Sequence, residues 1–270
     1  FNLAMDYSGD QFTGENSLHI SDVIMNDQHY ADFTFTGRWQ GQNVNYDSQK
    51  IPIPWLSHLI INSVLPNLTE TERNALIDHS QGQIDALKFS YNHEQKELKQ
   101  LKAYFSGVGT DTPSLTVNEL SGQYVYQNNT SRLQIDSQNG LLSLPNIFRG
   151  TANWQHLLMQ ADWHHGDTEQ LSINQLWCDC TDFQLDATAA VRFDAVPYFQ
   201  VSSHMNDVDI PQLSGYWPHN IWKPKTLNWL DQGLLAGTVS SARLTAAGEI
   251  RPDTFKNGTA FMTAETRIRD

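Results

Sequence analysis

The side chains best suited to chemistry gather in one stretch of the sequence. His156, His164, His165, Cys178 and Cys180 form its only cluster of soft metal ligands. A Cys-x-Cys pair on a strand places both sulfurs on one face, which would supply two ligands from one element. The spacing is not that of a zinc finger or ribbon, and His164-His165 abuts the turn signal His165-Gly166-Asp167, so no metal site is assigned. A disulfide between Cys178 and Cys180 is expected to be strained, because residues two apart on a strand lie near the upper limit of bridging distance. The simpler expectation is two small apolar residues on the buried side of a strand, beside Leu176. Two cysteines in 270 residues also rule out a small fold stapled by disulfides.

Paired carboxylates come next. Asp207 and Asp209 flank Val208, and Asp179 lies near Asp182. Such pairs do the work in glycosidases, but here they are expected on turns and wet strand faces. The sequence holds no nucleophile elbow, Gly-rich phosphate loop, His-Glu-x-x-His or calcium loop. No catalytic residue and no cofactor are assigned. An enzyme reading would have to use Asp207, Asp209 or the His164-His165 pair. Nucleic acid is excluded as a partner on charge: 17 Lys and Arg against 30 Asp and Glu leave −13, which repels phosphate backbones.

The elements that must position these groups are mostly strands. Hydrophobic residues make up 39% and aromatics 11% of the chain, enough for a core. Period two dominates, most clearly at Phe183, Leu185, Ala187, Ala189, Val191 and Phe193, which alternate with Gln184, Asp186, Thr188, Ala190 and Arg192. Shorter runs repeat it: Leu18 with Ile20, Phe33 with Phe35, Ile84 with Ala86, Leu133 with Ile135, Leu142 with Leu144, Leu171 with Ile173, and Phe199 with Val201. Turn signals such as Asn128-Asn129 and Gln138-Asn139-Gly140 separate them, the pattern of an antiparallel meander with one wet face.

Three short helices are expected. One runs over Pro54–Val64, one follows the capping-box pattern Thr69-Glu70-Thr71-Glu72 and stops at Gly82, and one spans Pro224–Leu235 with Leu227, Leu230 and Leu234 on one face. Tyr216, Trp217, Trp222 and Trp229 gather near the third. Such a cluster is expected in a core, with a ligand- or membrane-facing rim as the alternative. No stretch reaches the roughly twenty apolar residues of a membrane-spanning helix. With no linker or charge block in sight, residues 1–270 read as one domain. The alternation of Phe1, Leu3 and Met5 begins at the first residue, and the chain reads as an internal piece of a longer protein.

Several motifs then resemble one known family. The run Leu133 to Gly140, Leu142 to Arg149, and Trp154, Leu157 and Trp163 is similar to the central region of the YhdP-type AsmA-like proteins of Gram-negative envelopes. So is the block Val208 to Leu213, Tyr216-Trp217-Pro218, Leu227 to Leu230 and Leu235 to Val239, followed by Gly258 to Phe261. The match is best over residues 115–270. Trp217 stands where the family usually has Leu, and Ala236 where Gly is common. The resemblance implies an inner-membrane-anchored protein reaching through the periplasm. It also implies a long curved antiparallel sheet whose apolar groove moves phospholipid towards the outer membrane and keeps that membrane a barrier. Phospholipid acyl chains would be the partner, with the inner and outer membranes met through parts outside this chain.

Physical reasoning converges with that implication. Many strands with one apolar face and few helices cannot leave that face in water, since burial is worth about 25 cal/mol per Å². The sheet must curl, pair with another sheet or hold a ligand. The lining expected for a groove is Phe183, Leu185, Ala187, Val191 and Phe193, with Leu133, Ile135, Leu142, Leu144, Leu171 and Ile173. Alternation by itself favours an ordinary closed core in a sandwich or half-barrel, since most alternating strands build cores, and it is the family resemblance that turns the reading to a groove. The competing functional reading is a non-catalytic structural or partner-docking β module of the envelope.

Overall fold

A computed structural model describes all residues except 1, 11–12, 26–27, 58–73, 75–77, 221, 252–256 and 270. The chain is mainly β, antiparallel throughout, with few short helices, as the alternation predicts. It divides into two compact units, residues 1–112 with 118–128, and residues 113–117 with 129–270.

The first unit holds β1 (Asn2–Gly9), β2 (Thr13–Ser21), β3 (Val23–Met25), β4 (Gln28–Tyr30), β5 (Phe33–Gln40), β6 (Asn43–Pro52), β7 (Gln81–Asn92), β8 (Glu97–Asp111) and β9 (Thr116–Gln127). Its strand order is β1-β2-β5-β6-β7-β8-β9, with β3 and β4 as a separate two-stranded ribbon. Ile20, Val23, Phe33, Ile51, Ile84 and Ala103 form its core, and Trp55 and Leu56 pack against it. Residues 53–57 are helical, and the Trp55 ring meets Phe33 edge-on at 4.9 Å. The rest of the first expected helix, and nearly all of the second, lie outside the described residues.

The second unit holds β10 (Thr130–Ser143), β11 (Thr151–His164), β12 (Glu169–Cys180), β13 (Gln184–Phe193), β14 (Tyr198–Asn206), β15 (Val208–Asp209), β16 (Thr238–Glu249) and β17 (Ala260–Arg269). Neighbours in sequence are neighbours in the sheet up to β14, which pairs with β16, and β16 pairs in turn with β15 and β17. Among the described residues no pairing joins β10 to β17, so this sheet is not closed. Two helices lie between β15 and β16: α1 (Ile210–Leu213), continued by a 3-10 turn over Ser214–Tyr216, and α2 (Pro224–Gly233). Pro224 opens α2, as Pro does well where its missing N–H is no loss. Leu227 is buried, and Leu230 and Leu234 are half-buried, the face expected from their spacing.

Candidate functional site

Register decides which side chains share a face. Residues directly opposite one another across an antiparallel pair project to the same side. Reading β10 through β17 in this way, one row is Leu133, Ala161, Ile173, Ala189, Val201, Ala246 and Met262. The next is Ile135, Met159, Leu176, Ala187, Ser203, Leu244 and Ala264. On one side of these lie Trp163, Leu171, Val191 and Phe199, and on the other Leu157, Cys178, Leu185 and Met205. No charged residue interrupts any of the four rows. The opposite face carries rows such as Asp186, His204, Arg243 and Glu265, and Thr188, Ser202, Thr245 and Thr263. The apolar face is not sealed. Most of its large side chains, including Leu133, Leu171, Ile173, Leu185, Val191 and Val201, are only half-buried.

Seven of the eleven expected lining residues fall in these rows: Leu133, Ile135, Leu171, Ile173, Leu185, Ala187 and Val191. Phe193 extends the face at its exposed end, where its ring stacks on Trp163 at 6.3 Å and His165 stacks on Trp163 at 5.3 Å. Phe183 stands apart. It precedes β13, is buried, and meets Tyr216 edge-on at 5.0 Å. Leu144 lies past the end of β10 and accepts backbone hydrogen bonds from Ile147 and Phe148. Leu142 follows Asn139, whose φ of 55° breaks the strand's regular alternation, and it is exposed.

Several members of the face are hard to find by alternation. Leu176 is one residue out of phase with Ile173, and they share a face only because β12 carries a bulge between them against both neighbours. On β11 the sequence Leu157-Leu158-Met159-Gln160-Ala161-Asp162-Trp163 puts Leu158 and Asp162 on the wet face. Only the registered odd positions mark the apolar one.

The end of the face beside Leu157 and Leu185 is closed by the helical segment. The Tyr216 hydroxyl donates to the Asp182 carboxylate at 2.6 Å, and the Thr151 carbonyl lies 3.2 Å from the same oxygen. Burial, with Asp182 adding to it, pushes the Tyr216 hydroxyl well above the ordinary tyrosine range. Arg149 pairs with Asp231 of α2 at 3.0 Å. The Gly150 N–H donates to the Gly215 carbonyl at 2.7 Å. The two backbones are so close that a Cβ on Gly150 would stand 3.1 Å from the Gly215 Cα.

Cys178 and Cys180 are joined in a disulfide with their Cα atoms 5.4 Å apart, which corrects the expectation of two unlinked small residues. The pairing of β11 with β12 shifts register between Trp154 and His156, opposite Cys180 and Asp179. A Cα separation of 5.4 Å lies inside the range that a disulfide bridges and below the spacing of second neighbours on a fully extended strand. Both sulfurs are thereby unavailable to a metal, and His164 and His165 instead contact Thr130 and Ser131. Among the described residues no group of three or more His, Cys, Asp or Glu could hold a metal ion. On the wet face, Arg132 donates to Asp162 at 2.6 and 3.3 Å, and Asn174 donates to it at 2.7 Å. Hydrogen bonding to Arg132, together with its charge, holds the Asp162 carboxyl below the usual carboxylate range against the opposing effect of burial.

The first unit repeats the one-faced design. Met5, Leu18, Phe35, Ser48, Leu87 and Ala103 form one row, and Tyr46, Phe89 and Leu101 lie in the next. Between them is a depression of about 240 Å³ lined by Met5, Leu18, Phe35, Tyr46 and Phe89. The cluster of Ile20, Phe33 and Ile51 under Trp55 fills the neighbouring part of the face.

Open antiparallel sheets with one apolar face agree with the motif resemblance. A family model described as YhdP protein matches residues 14–270. The chain belongs to the YhdP family. Comparison with curated proteins and with solved structures gave no match. Membership of the YhdP family points to a lipid-transport-related role in the cell envelope, in a family not known for catalysis. No helix among the described residues is long and apolar enough to cross a membrane.

Proposed function

We propose that this chain is a lipid-binding and lipid-conducting segment of an inner-membrane-anchored periplasmic protein, supporting phospholipid movement between inner and outer membrane and the barrier of the outer membrane. The observation that carries the reading is the half-buried apolar face of β10 to β17, continuous over four rows with no charge in it. At about 4.8 Å per strand step, a row crossing from β10 to β17 runs about 29 Å. One leaflet's acyl chains occupy about 15 Å, half of a bilayer core of roughly 30 Å, so a row is long enough to shelter one.

Each methylene withdrawn from water onto such a surface contributes about 0.8 kcal/mol. Leu133, Ile135, Leu171, Ile173, Leu185, Ala187 and Val191 would line the path, with Phe193 at its rim. Dispersion contacts are non-directional, so a tail can slide from row to row without crossing a strong barrier. Headgroups would stay in water.

The test is a photo-crosslinking amino acid placed at Ala187 on the apolar face and, separately, at Thr188 on the wet face, in the full-length protein in cells. Phospholipid adducts are expected at 187 and not at 188. Equal labelling at both positions, or none at 187, overturns the reading; no adduct at either is what a purely structural module predicts. Glutamate at Leu185 or Phe193 should likewise stop lipid movement while the protein stays folded.

A further inference from the structure

We infer that the outer face of α2 is a docking patch for an anionic phospholipid surface. The helix is two-sided. Leu227 is buried, Leu230 and Leu234 are half-buried, and Asp231, the only acid in the helix, is turned onto Arg149 at 3.0 Å. The outward side carries different chemistry. Lys225 and Trp229 fall four residues apart, which on a helix is one stripe, and Trp222 lies two residues ahead of the helix. Trp229 is 71% exposed, Leu235 just beyond the helix 70%, and Trp222 39%. Lys223 and Lys225 are exposed beside them. Trp217 backs the patch by stacking on Trp222 at 5.7 Å.

An indole this exposed is at odds with the usual burial of large aromatics. Its apolar ring with one N–H donor suits the headgroup layer of a bilayer, where tryptophan is enriched. Charge selects the surface. The chain as a whole carries −13, so an anionic membrane repels most of it. This patch instead presents two cations, Lys223 and Lys225, with the acid of the helix folded away. Attraction here and repulsion elsewhere orient the molecule. Tyr216 and Gly215 tie the same segment to Asp182 and Gly150, at the closed end of the apolar rows. Docking would therefore bring that end of the sheet to lipid headgroups. The docking itself does not require that the apolar face conduct lipid.

The experiment is flotation of the purified chain with vesicles of phosphatidylglycerol and phosphatidylcholine in equal parts, against vesicles of phosphatidylcholine alone. Binding is expected to the first and not the second. Lys223→Gln with Lys225→Gln should weaken partitioning on the order of tenfold to thirtyfold at low salt, with the difference shrinking as salt rises. Trp229→Ser should weaken it at least tenfold. That side chain is so exposed that its loss leaves the fold intact, which hydrogen exchange across α2 checks. Lipid crosslinking at Ala187 should persist in Trp229→Ser, which separates this patch from the apolar rows. Absence of flotation, equal flotation with neutral vesicles, or Trp229→Ser floating like the parent would each overturn the inference. A concentration-dependent dimer abolished by Trp229→Ser would overturn it in favour of a second copy of the chain.

Discussion

Tyr216→Phe removes one oxygen and leaves the ring, and its effect should be confined to the helical segment. The hydroxyl has one proton. At 2.6 Å against 3.2 Å, that proton goes to the Asp182 carboxylate rather than the Thr151 carbonyl. A hydrogen bond to a charged acceptor is worth about 1.5–3 kcal/mol. Asp182 is only half-buried and regains water in the variant, which sets the expected loss at the low end, about 1.5 kcal/mol. The edge-on contact with Phe183 survives. At 1.4 kcal/mol per tenfold, the opening equilibrium of the helical segment, from Ile210 to Leu234, should rise about tenfold. The assay is hydrogen exchange at the amides of Ile210, Leu227 and Leu234, with amides of β11 and β12 as reference. The same bond sets a pH dependence. The folded-state pKa of Tyr216 is raised above the unfolded value, so its contribution is full below the ordinary tyrosine value of about 10 and is lost as pH rises beyond it. Tyr216→Phe should abolish that alkaline opening. Unchanged protection at the three amides, or an equal rise in exchange throughout the sheet, would refute the view that Tyr216 fastens this segment locally.

Two further outcomes follow from the same contacts. Reducing the Cys178–Cys180 disulfide, or replacing both cysteines with Ser, opens a loop of three residues, for which chain entropy gives only about 1.5 kcal/mol. Chemical denaturation should show a loss of that size, and a loss above about 4 kcal/mol would mean that the bond holds more than the β12–β13 corner. Asp162→Asn should cost about 1–2 kcal/mol, because it weakens two bonds from Arg132 at a site that is mostly buried. Asp162 has a lowered folded-state pKa, so its contribution is present above the ordinary carboxylate value of about 4 and fades as pH falls through the folded value. Acid titration of the parent and of Asp162→Asn should converge at low pH, and parallel curves would contradict the assignment.

The strands were legible where burial acts alone on alternate positions. From Leu185 to Phe193 every large apolar side chain falls on one side, with only Ala190 among the polar residues of the other, and β13 alternates in burial from Gln184 to Ala189. The α2 face of Leu227, Leu230 and Leu234 was legible for the same reason, at helical period. The YhdP motifs were legible because they are short and sequential. Leu176 was not, because a bulge moves it onto the face of Ile173, and a bulge depends on the strands alongside. Phe183 reads as lining but is buried against Tyr216, 33 positions away in sequence. The disulfide was misjudged because an ideal strand holds its second neighbours near the limit of bridging, whereas Cys178 and Cys180 stand with their Cα atoms 5.4 Å apart.

Sequence by itself determined the composition of the surfaces: one-faced strands, few helices, an acidic exterior, and motifs of one envelope family. Periodicity is a local property, and the hydrophobic effect acts on it residue by residue. Tertiary structure alone decided which apolar positions were left half-open and which were closed over. It set the rows of β10 to β17 side by side, buried Phe183 beneath Tyr216, and turned Trp229 to water while it turned Asp231 inward. Those outcomes depend on register and on contacts between residues far apart in the chain, and no window of neighbouring residues contains them.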